Sequence, residues 1–60
     1  MYEIAIIQLS GKTYFWVLRQ KQDGKVTASS QLIADETLVK NEAYFIAGHF
    51  GLDEPVIEKR

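Results

Sequence analysis

Residues 13–30 read TYFWVLRQKQDGKVTASS, and the fold turns on how that stretch divides. Asp23-Gly24 between two β-prone runs is a strong hairpin signal, because such a pair accepts the positive φ that a tight connection needs. It splits the stretch into a strand over about residues 13–21 and a shorter, more polar return strand over about residues 25–30. The first of these does not alternate. Tyr14, Phe15, Trp16, Val17 and Leu18 place bulky apolar groups on both sides of the strand, so neither of its faces is marked for water.

Upstream, Tyr2–Leu9 (YEIAIIQL) is Ile-rich and short, which favours a strand over about residues 2–9. Ser10-Gly11-Lys12 supplies the turn into the second strand. The three segments form an antiparallel meander with the return strand at its edge. Downstream the period changes. Asp35 can cap a helix through its carboxylate, with Thr37 as an alternative cap and Glu36 favourable in the first turn. Val39, Ala43, Ile46 and Phe50 then recur at helical spacing, which predicts a helix over about residues 36–50 with that stripe toward the sheet. Gly51 stands where a left-handed residue ends a helix, and Leu52 is placed to fold back onto Ala47. The tail, residues 52–60, holds the only proline and a Val56-Ile57 pair. It either adds a little extended structure or dangles. The expected fold is one small α+β domain, βββα: a three-stranded antiparallel meander and one helix packed on one sheet face.

One helix, about 10 Å wide with its side chains, shields one face only. On the first strand Ala5, Ile7 and Leu9 oppose Tyr2, Ile4 and Ile6; on the second, Phe15 and Val17 oppose Tyr14, Trp16 and Leu18. Each face therefore carries apolar groups from two strands, and large apolar groups left in water forgo roughly 1.5–3 kcal/mol each. Either the tail covers the second face, or a second copy or another protein does. A related row lies on the helix, where Leu38, Glu42, Phe45 and His49 mix apolar and ionisable groups beside the core stripe. It reads as a boundary row or as a second contact surface. The residues expected at a contact surface are Tyr14, Phe15, Trp16, Val17, Arg19, Lys21, Phe45 and His49.

Composition bounds the chemistry. Sixty residues without cysteine cannot be stapled by disulfides or a thiolate zinc site, and chains of this size often gain stability by oligomerising. The opening MYEIAIIQLSG lacks the basic start and cleavage site of a secretory signal, and its apolar run is too short to span a bilayer. The expectation is a cytoplasmic protein with no membrane partner. The net charge of −1 divides into +2 over residues 1–30 and −3 over residues 31–60. His49 is the only histidine, and no nucleophile motif or metal-ligand spacing accompanies it. Asp35-Glu36 and Asp53-Glu54 read as a helix start and a solvated turn rather than as an acid–base pair. Gly48 and Gly51 lack the lysine and loop length of a phosphate loop. No catalytic residue, metal or cofactor is expected.

Nucleic acid is the ligand class with some compositional support, since sheet aromatics interleaved with Arg19, Lys21 and Lys25 can stack bases and meet phosphates. The stretch FWVLR followed by DGKVTASS also resembles the YegP-like family of small bacterial domains of unknown function. Trp16, Leu18 and Arg19 match its aromatic-x-Leu-basic strand, and Gly24, Val26, Ser29 and Ser30 its return strand. The resemblance spans residues 15–30. It implies tandem or dimeric packing of such units and carries no catalytic residues with it. The function expected from the sequence is a non-enzymatic protein-interaction module, a homodimer that uses the sheet face away from its helix. The alternatives are a nucleic-acid binder using the basic hairpin, and a small phage-type inhibitor that caps a larger enzyme.

Overall fold

A computed structural model describes all residues, Met1–Arg60. The elements are β1 (Tyr2–Gln8), β2 (Tyr14–Gln20), β3 (Val26–Ser29), α1 (Glu36–His49) and β4 (Val56–Lys59). They form one four-stranded sheet in the order β3-β2-β1-β4, with the helix across β1 and β2, the central pair. The α+β class and the antiparallel meander agree with the sequence reading, and element ends fall within a residue or so of the expected ones.

The β1–β2 register pairs Ile4 with Leu18, Ile6 with Trp16 and Gln8 with Tyr14 on the helix side. On the other side it pairs Glu3 with Arg19, Ala5 with Val17 and Ile7 with Phe15. This is the double-sided patterning of residues 13–18 realised in space. At the β2–β3 hairpin, Gly24 takes φ +74 and the Asp23 carboxylate accepts from the Lys25 backbone N–H at 2.9 Å, so each residue of the Asp-Gly pair has its own task. Beyond β3 the chain keeps to the flank of β2. Ser30 N–H donates to the Trp16 carbonyl, and Tyr14 and Ile33 exchange backbone hydrogen bonds of 2.8 and 2.7 Å. That bridge buries Ile33 in the helix-side core.

Helix α1 begins at Asp35, whose carboxylate accepts from the N–H groups of Thr37 and Leu38. This answers two of the donors that a helix start leaves without partners. It ends in a Schellman arrangement: Leu52 N–H donates to the Ala47 carbonyl, Gly51 N–H to that of Gly48, and Gly51 has φ +68. Val39, Ala43 and Ala47 are buried against Ile4 and Ile6, with Trp16, Leu18, Ile46 and Leu52 packed around them. The small side chains at 43 and 47 let the helix lie close to the sheet.

One expectation is corrected, and the alternatives left open for the tail are decided in favour of added extended structure. Phe50 does not continue the core stripe. It is the C-cap, with φ −95 and ψ 3, and it lies past the point where the helix can hold it over the sheet, so it is exposed. The tail neither dangles nor folds over the second face. It joins the sheet edge as β4, parallel to β1, with Ala5 beside Val56, Ile6 beside Ile57 and Ile7 beside Glu58. The helix carries the chain back along the sheet, so the strand after it can align with β1 in parallel. Pro55, which has no N–H to give a ladder, is buried just before the strand starts.

Candidate interaction surface

The sheet face away from the helix carries no packed element, yet Ala5, Ile7 and Val17 are buried there, with Leu9 and Phe15 half-buried beside them. The register explains the cover. Arg19 stands directly across from Glu3 on β1, and its Nε lies 2.8 Å from the Glu3 carboxylate. Its Nη2 lies 2.6 Å from Glu58 on β4, a residue level with Ile7 and two strands away. To reach both carboxylates the Arg19 side chain must cross β1 at Ala5, which is 0% exposed. A long stem with a charged head can roof apolar surface in this way. The guanidinium, hydrogen-bonded by Glu58 and then by Glu3, is held even more firmly protonated than usual. The same hydrogen bond from Arg19 holds the Glu58 carboxyl below its ordinary range.

The residues expected at a contact surface do not form one patch. Tyr14 and Val17 are buried, on opposite faces, which corrects their assignment to a surface. Phe15 is half-buried next to Ile7 on the helix-free face. Trp16 is half-buried on the helix side, where its Nε1 donates to Glu42 Oε1 at 3.1 Å. Arg19 is the roof just described. Lys21 is exposed and pairs with Asp53 at 3.2 Å. Arg19 and Lys21 thus both face carboxylates of the chain itself, which lowers the cationic field of the hairpin that a phosphate would meet.

Phe45 and His49 lie elsewhere, on the outer flank of α1. Phe45 is 75% exposed and its ring stacks on that of His49 at a centroid distance of 6.4 Å. The His49 ring meets the edge of Phe50 at 5.0 Å. Leu38, on the same flank one turn before Glu42, is 48% exposed, and Phe50 is 63% exposed. A shallow apolar groove of about 270 Å³ between Phe50, Leu52, Leu18 and Tyr2 continues the apolar surface past the end of the helix. The spacing 38-42-45-49 is visible in the sequence, whereas Phe50 is hidden there because it fits the core stripe.

No group of three or more His, Cys, Asp or Glu side chains stands where it could hold a metal ion, and no helix is long and apolar enough to cross a membrane. Compared with known proteins, the chain matches no family model, no curated protein and no solved structure, so nothing there bears on the resemblance to the YegP-like family.

Proposed function

We propose that this chain is a protein-interaction module that works by contact rather than catalysis, and that it self-associates. The observation carrying this reading is the exposure of Leu38, Phe45 and Phe50 along one side of α1 and its end, with the His49 ring between the two phenylalanines. Scattered exposed apolar residues are ordinary, but neighbouring ones on a rigid element are the usual mark of a docking surface. The helix-free sheet face supports the same function less strongly. Phe15, Val26 and Val56 offer apolar surface there, while the middle of that face already lies under Arg19.

Light scattering across a wide dilution series tests self-association, with Phe45→Asp and Phe15→Asp as the two surface variants. Association lost with the first variant assigns the contact to the helix, and with the second to the sheet. A chain that stays monomeric at every concentration overturns the self-association.

A further inference from the structure

Leu38, Glu42, Phe45 and His49 are spaced by four, three and four residues, the repeat that lets two helices meet along a continuous seam. The row lies beside the stripe of Val39, Ala43 and Ala47 that presses on the sheet: Glu42 reaches back to Trp16, while Leu38, Phe45 and His49 are exposed and open to a second helix. Its two polar groups, the Glu42 carboxylate and the His49 imidazole, are arranged in a self-complementary way. Glu42 lies one turn before Phe45 and His49 one turn after, so a two-fold axis beside Phe45 brings Glu42 of one copy level with His49 of the other. Glu42 is also held in place, because its Oε1 accepts from the Trp16 indole at 3.1 Å. The other carboxylate oxygen is left for a partner.

Resting on the reading of the chain as a self-associating module, we infer that two copies pair through the outer flanks of their α1 helices, antiparallel about a two-fold axis beside Phe45. The Phe45 rings meet at the axis, and two Glu42–His49 contacts flank them, one on each side. Antiparallel pairing also sets each helix start against the end of its partner, which is the favourable order of helix dipoles. The occupant is a second copy because the row supplies both the carboxylate and the imidazole N–H of each contact, in the order that the two-fold axis requires. The 14-residue helix is only about 21 Å long, so the contact belongs to the weak, reversible class of interfaces.

The dimerisation constant, measured by sedimentation or light scattering with far-UV circular dichroism to confirm folding, tests the pairing. Phe45→Asp weakens the dimer by about 30-fold or more, as expected for an aromatic at the centre of a contact. His49→Lys leaves it intact, whereas His49→Glu weakens it by roughly 5-fold. The decisive experiment mixes His49→Glu protein with Glu42→Lys protein. His49→Glu alone sets carboxylates against each other at both contacts and Glu42→Lys alone removes both Glu42–His49 contacts, while the mixed pair keeps one Glu42–His49 contact and gains an opposite-charge pair at the other, so the mixture associates more tightly than either component. Trp16 fluorescence checks that losing the Glu42 hydrogen bond has not unseated the helix. A wild-type dimer that ignores Phe45→Asp and the charge variants overturns this pairing but leaves self-association standing. A wild-type chain that never associates overturns both.

Discussion

The two faces of the sheet bury neighbouring residues by different means. Ile6 and Ile7 are consecutive in β1, each 1% exposed, and they point to opposite sides. Ile6 is enclosed by a helix whose small residues, Ala43 and Ala47, bring it close. Ile7 has no element over it and is enclosed by side chains: Phe15 and Glu58 in its own row, with Arg19 crossing the row beside it. Equal burial therefore does not imply equal rigidity. A helix cannot collapse into a vacancy without moving the backbone, whereas a layer of flexible side chains can settle or admit water.

That contrast predicts unequal costs for equal truncations. Ile6→Ala should lose about 3–4 kcal/mol in urea denaturation, and Ile7→Ala about 2 kcal/mol, because the cavity contribution depends on how far a site relaxes. A domain of this size has only about 3–5 kcal/mol to lose, so the first variant should be largely unfolded and the second mostly folded. Equal losses at the two positions would break the comparison. The next effect concerns the roof itself. Arg19→Ala should cost about 1–2 kcal/mol, since it uncovers Ala5 and leaves the Glu3 and Glu58 carboxylates without their shared cation. Arg19→Met keeps the stem, and recovery of about half the loss would show that covering the face matters as much as the charges. No recovery would place the whole effect in the ion pairs.

The smallest effect is a pH dependence. Arg19 lowers the folded-state pKa of Glu58, so below the ordinary carboxylate range the unfolded chain binds more protons than the folded one. The stabilisation is present above that range and fades as pH falls through and below it. Glu58 is partly exposed, and solvent screening keeps the contribution under about 1 kcal/mol. Denaturation midpoints across acidic pH should show this slope in the wild type and lose the Glu58 part of it in Glu58→Gln. An unchanged slope in that variant would assign the dependence to other carboxylates.

Much of this architecture is legible in the sequence where a local signal specifies a local structure. Asp23-Gly24 marks the hairpin, Asp35 the helix start, and Gly51-Leu52 the helix end, each through a named backbone hydrogen bond. The double-sided pattern of β1 and β2 correctly raises the question of a second face. Its answer is not local. Val56–Lys59 is too short to declare itself a strand, and its place is set by pairing with β1, so the Arg19–Glu58 contact stays hidden until that pairing is known. Phe50 fails for a related reason. Helical spacing assigns it to the core stripe, but the Schellman turn removes it from the helix before it reaches the sheet. The proposed contact surface is legible only in part, since the 38-42-45-49 row is a sequence feature while the burial of Tyr14 and Val17 depends on packing.

The parallel pairing of β4 with β1 also orders the folding reaction. The β1–β2 and β2–β3 pairs close over short turns, and α1 forms from local contacts, so each can appear early. The β1–β4 pair closes a loop containing the meander and the helix, and that entropy must be spent before any of its hydrogen bonds returns a gain. The fourth strand should therefore dock after β1 and β2 have paired, and open before they part. Amide exchange should be fastest along β4 among the β1-paired strands, and each such opening withdraws Glu58 from Arg19. The cover of the helix-free face is in this sense a latch on a late step of folding, one that releases by local unfolding while the helix side stays shut.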